Sequence, residues 1–118
     1  MKLIIAGSRG INNHGTLARS IEAIGTKPTK IIIGNAKGVD AIAENYAAIK
    51  EIPCDIVDAP WDQYGRPAGT IRNERITNEA DALLAIWDGQ SSGTRELIRM
   101  MNKKNKPVFL HLVDQDGR

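Results

Sequence analysis

Short, unbroken apolar runs alternate along this chain with longer stretches in which apolar residues return every third or fourth position. The first run, residues 3–6, closes in Gly7-Ser8-Arg9-Gly10, and Leu17, Ile21 and Ile24 then mark one face of a helix ending near Gly25. The unit repeats. Residues 30–33 repeat the strand signal, Gly34-Asn35-Ala36-Lys37-Gly38 is a polar turn, and Val39, Ile42, Ala43, Tyr46 and Ala47 recur at helical spacing. Residues 53–57 read as a shorter strand, followed by a loop over 59–67 that holds Trp61 and Tyr64. A helix over 68–79, a strand over 81–86, a helix over 92–104 and a strand over 106–110 complete the pattern; a polar tail follows from about 112 to 118, of which 114–118 is expected to fray.

Strands rich in Ile, Leu and Val that alternate with helices predict one doubly wound, Rossmann-like α/β domain over residues 1–118. Its sheet is mostly parallel and five-stranded, of order 3-2-1-4-5, with helices on both faces. Ligands of such sheets bind beyond the carboxyl ends of the strands, where the winding reverses. In this order the switch falls between the first and fourth strands, so the turns at Gly7 to Gly10 and Trp87 to Gly93 meet there, flanked by Gly34 to Gly38.

Composition narrows the setting. One cysteine, Cys54, forms no intramolecular disulfide, and no His/Cys cluster has metal-ligand spacing, so a reducing cytoplasm and no metal are expected. No apolar run approaches the length of a membrane span, and the expected molecule is not membrane-bound. A net charge of +2 is a weak electrostatic footprint for a dedicated nucleic-acid binder.

The turns carry the candidate chemistry. Asp88-Gly89-Gln90-Ser91-Ser92-Gly93-Thr94 joins a buried strand to a helix start, where glycines permit close approach, hydroxyls donate, and backbone N–H groups lack intrahelical acceptors. An anion site and an ordinary capped helix start both fit this stretch. Ser8 and Arg9 stand where a nucleotide fold places its phosphate loop, but Gly-Ser-Arg-Gly is neither the dinucleotide fingerprint nor a Walker motif. Asp40 fits a ribose hydroxyl or a helix-dipole partner; Glu74, Arg75 and Glu79 fit a solvated helix face.

Taken together, Gly-Ser-Arg at residues 7–9, Gly34-Asn35-Ala36-Lys37-Gly38-Val39-Asp40, the run from Pro60 through Tyr64-Gly65-Arg66 and Ala68-Gly69 to Arg72-Asn73, and Asp88-Gly89-x-Ser91-x-Gly93-Thr94 resemble the SLOG superfamily, most closely its small YspA-like branch. The resemblance implies a Rossmann-like fold and a nucleotide or nucleotide-derived ligand of AMP or ADP-ribose type, with no cofactor required. The ligand would be held by Gly7, Ser8, Arg9, Gly34, Asn35, Lys37, Gly38, Asp40, Arg66, Arg72, Asn73, Trp87, Asp88, Gly89, Ser91, Ser92, Gly93 and Thr94. More distant relatives are the lysine-decarboxylase-like, cytokinin-activating phosphoribohydrolases, whose resemblance implies N-glycosidic hydrolysis, and DNA-processing protein A, whose resemblance implies single-stranded nucleic-acid binding through Arg9, Lys37, Arg66 and Arg72. The phosphoribohydrolases carry a catalytic arginine, matched by Arg72, and a catalytic glutamate whose position here is Leu97. Glu96 lies one residue earlier, about 100° away around a helix, and with Asp88 it is the alternative carboxylate. Binding or sensing is therefore the expected function. The small size leaves one pocket wall thin, and a homo-oligomer is expected to complete it.

Overall fold

The computed structural model describes residues 1–11, 13–34 and 38–113. Five strands, β1 (Lys2–Gly7), β2 (Lys30–Ile33), β3 (Cys54–Ile56), β4 (Ala82–Trp87) and β5 (Val108–Leu112), form one sheet of order β3-β2-β1-β4-β5 in which every pairing is parallel. This is the predicted α/β architecture. Helices α1 (His14–Ile24), α2 (Val39–Ile49), α3 (Trp61–Tyr64), α4 (Ala68–Glu79) and α5 (Ser92–Lys103) connect the strands.

The alternation of side chains along a strand divides the core in two. Leu3 and Ile5 of β1 face one way and pack with Leu17 and Ile21 of α1 and Ile42, Ala43 and Ala47 of α2. Ile4 and Ala6 face the other way and pack with Ile76 of α4 and Leu97 and Met101 of α5. Both faces of β1 and β4 are thus covered, which is why residues 3–6 and 82–87 are apolar at every position rather than at alternate ones. Burying a Leu or Ile side chain contributes about 1.5–3 kcal/mol, so this two-sided core is the main stabilising feature.

Two elements differ from the sequence expectation. The aromatic stretch contains one helical turn, α3, closed by the Gly65 N–H donating to the Trp61 carbonyl at 2.9 Å. The last strand begins two residues later than its apolar pattern suggested. The Lys106 N–H still bonds the Met101 carbonyl to finish α5, and the Lys106 ammonium donates to the Thr77 and Asn78 carbonyls at the end of α4. Only after Pro107, whose carbonyl accepts from the Leu83 N–H, does the chain join the sheet. Residues 114–118, expected to fray, lie outside the described residues. No helix among those described is long and apolar enough to cross a membrane.

Candidate functional site

The carboxyl ends of β1, β2 and β4 open into a cleft of about 790 Å³, the size range of small-molecule sites. Its floor is the turn after β1, from Gly7 to Gly10, together with the turn from Asp88 to Thr94. Ser8 ties the two turns together. Its buried hydroxyl accepts from the Asp88 N–H at 3.1 Å and donates to the Asp88 carboxylate, while the Gln90 N–H donates to Asp88 Oδ1 at 2.8 Å. The Ser8 hydrogen bond, followed by the Gln90 backbone bond, holds the Asp88 carboxyl below its usual value. Asp88 borders the cleft with its oxygens engaged in ordering the turn.

Helix α5 starts at this floor. Ser91 caps it, its Oγ accepting from the Thr94 N–H at 3.5 Å and from the Thr94 hydroxyl at 3.3 Å. The N–H groups of Ser92 and Gly93 have no acceptor within the helix, and both residues border the cleft, so the positive end of a twelve-residue helix points at any ligand held there. Trp87 braces the turn from outside. Its indole N–H donates to the Ser91 carbonyl at 3.1 Å, and the Arg95 guanidinium stacks over its ring while donating to the Gly89 carbonyl.

The side wall is α4 packed against α5. Arg72 Nε donates to Asn73 Oδ1 at 2.8 Å, and its Nη1 donates to the Val57 carbonyl at 3.0 Å. The guanidinium lies over Gly34, with Asp40 on the same spot: a Cβ at Gly34 would stand 2.5 Å from Arg72 Nη1 and 3.2 Å from Asp40 Oδ2. Asn73, buried, passes the chain of bonds on by donating to Glu96 Oε1 at 2.8 Å, and the Thr70 hydroxyl donates to Glu96 Oε2 at 3.0 Å. Glu96 therefore stands in the cleft with both oxygens oriented. Leu97 also borders the cleft but belongs to the apolar core with Met101. At the mouth, Trp61 lines the cleft while 59% exposed, beside Arg66.

The cleft thus gathers Gly7, Ser8, Arg9, Gly34, Asp40, Arg66, Arg72, Asn73, Asp88, Ser91, Ser92, Gly93 and Thr94 among the residues singled out from sequence. Trp87, Gly89 and Gly38 do not border it; Gly38 packs against the carbonyls of Ser8 and Arg9. Asn35 and Lys37 lie outside the described residues. Thr70 and Gly10 line the cleft without having been singled out, and the signal that would have found Thr70 is its placement one turn before Asn73 on the same helix. Three arginines and three carboxylates border the cleft, yet Asp88 and Glu96 are engaged with neutral donors, which leaves Arg9 and Arg66, both exposed, as the cations nearest the opening.

Cys54 is half-buried at the edge of the sheet, and burial, then the nearby Glu44, Asp55 and Asp40 charges, push its thiol up, away from nucleophilic use. Among the described residues no group of His, Cys, Asp and Glu is arranged to hold a metal ion.

A family model described as YAcAr, the YspA, cpYpsA-related SLOG family, matches residues 1–64, the span from β1 through α3 that carries Ser8, Arg9, Gly34, Asp40 and Trp61. Arg72, Asn73, Asp88 and Glu96 lie beyond that span. No curated protein and no solved structure matches the chain.

Proposed function

Since the chain belongs to the YspA, cpYpsA-related SLOG family, we propose that it binds a nucleotide or nucleotide-derived ligand of AMP or ADP-ribose type in the cleft at the carboxyl ends of β1 and β4. The observation that carries this reading is the convergence of the α5 N-terminus with Arg72, whose guanidinium has five N–H groups of which the described bonds use two. The phosphate would lie against the Ser92 and Gly93 N–H groups, within reach of Arg9; the ribose would face Asp40 and the base would lie toward Trp61, an aromatic face at the cleft mouth.

Calorimetric titration with AMP, ADP-ribose and inorganic phosphate tests it. Saturable one-to-one binding of a nucleotide, tighter than that of phosphate alone, is the expected result. Absence of binding by both nucleotides at millimolar concentration would defeat the proposal.

A second reading, N-glycosidic cleavage of a nucleoside monophosphate, is favoured by Glu96. Its carboxylate borders the cleft with its two oxygens held by Asn73 and Thr70, and such a group stabilises a developing oxocarbenium ion in sugar transfer. Chromatography of AMP incubated with the protein distinguishes the readings: free adenine accumulating with time supports cleavage, and intact AMP leaves binding alone.

A further inference from the structure

The two edges of the sheet are built differently. β3 is three residues long, and it carries Asp55, whose carboxylate is paired with Lys30 of the neighbouring strand. A short, charged edge discourages pairing with another chain. β5 is five residues long and uncharged, Val-Phe-Leu-His-Leu, with Leu110 49% and Leu112 63% exposed.

We infer that β5 is the surface at which two copies of this chain pair, strand to strand and antiparallel, about a two-fold axis through Leu110. The backbone is already set for it. The Leu83 N–H donates to the Pro107 carbonyl and the Val113 N–H donates to the Trp87 carbonyl, so the odd-numbered residues of this stretch turn their polar backbone groups toward β4. By strand geometry, the N–H and C=O of Val108, Leu110 and Leu112 point away from the sheet. An axis through Leu110 sets Leu110 opposite its own copy and Val108 opposite Leu112 of the second copy. Each of these is a position at which two residues exchange both hydrogen bonds. Every outward group of the strand then finds a partner.

The side chains obey the same symmetry. Leu110 meets Leu110 and Val108 meets Leu112 on the face that bears α5, while Phe109 meets His111 on the other, so no charge is buried and the exposed leucines are covered. A parallel partner could not bring the same outward groups together about a two-fold axis.

Light scattering and sedimentation of the full chain test the inference. The wild-type protein is expected to be a dimer at micromolar concentration. Leu110→Lys, a change at a half-exposed position, is expected to give a monomer with an unchanged circular dichroism spectrum. With Cys54→Ala as background, Leu110→Cys is expected to form a covalent dimer on mild oxidation, because directly opposed residues lie about 5.5 Å apart between Cα atoms, within disulfide range. A wild-type monomer at all concentrations, a dimer that survives Leu110→Lys, or the absence of the covalent dimer would each overturn it.

Discussion

Gly7 and Gly34 end neighbouring strands and border the same cleft, yet a methyl group added to each would meet opposite kinds of neighbour. At Gly7, the Cβ would run into the Ile86 carbonyl of β4 and come within 2.6 Å of Val39 Cγ2 at the start of α2. Backbone pinned in the middle of a sheet has nowhere to go. At Gly34, the nearest atoms are the tip of Arg72 and the carboxylate of Asp40, which are the far ends of side chains. The end of β1 is thus where the fold closes, and the end of β2 is where the fold leaves room for the Arg72 guanidinium and the Asp40 carboxylate.

The contrast can be broken most sharply at Gly7. Gly7→Ala is expected to cost about 3 kcal/mol, read as a lowered urea midpoint, or to prevent folding altogether. A variant with the wild-type midpoint would abolish the distinction. Next in size, Arg72→Ala should leave the far-ultraviolet spectrum intact while weakening AMP binding about 10- to 100-fold, the range for loss of a charge-assisted hydrogen bond. An unchanged affinity would show that Arg72 does not contact the ligand. Gly34→Ala should fall between structure and function: the unfolding midpoint stays near wild type because the arginine tip can move aside, and AMP affinity drops about 5-fold because it has moved.

The smallest effect concerns the β1 end again, through Ser8. Because the folded Asp88 carboxyl is held below the ordinary carboxylate value, its charged form contributes stability that is present above that ordinary value and is lost as the pH falls through the lowered folded value. Ser8→Ala removes the main cause of the shift. The variant should melt slightly below wild type at neutral pH, and the gap should narrow as acid protonates the Asp88 carboxyl. A gap that is constant across pH would show that Ser8 acts only by packing.

Much of this arrangement was legible along the chain, for reasons that are local. A strand covered on both faces must be apolar at every position, as residues 82–86 are, and a helix covered on one must be apolar at intervals, as α1 is, so the class and strand order followed from pattern and the handedness of crossovers. The glycine and serine turns were equally visible, since a turn that leaves a strand for a helix needs small residues and a cap, as Ser91 supplies. What lines the cleft was less legible. Trp87 follows the buried run and precedes the polar turn, and only the structure turns its indole back to the Ser91 carbonyl. The break before β5 was hidden because Lys106 is used as a cap for α4, a contact between residues far apart in sequence.

The pair Glu96 and Leu97 separates the two kinds of information. Sequence by itself determined that the residue three positions after Thr94 is a leucine and that a carboxylate stands one residue before it. Which of them addresses the cleft with a polar group depends on the rotation of α5 about its axis. That rotation is decided by burying Leu97 and Met101 against the sheet, which leaves Glu96, about 100° away, facing Thr70 and Asn73 of α4. A helix rolls to hide its apolar stripe, and the stripe's partner is a sheet whose shape no single stretch of sequence contains.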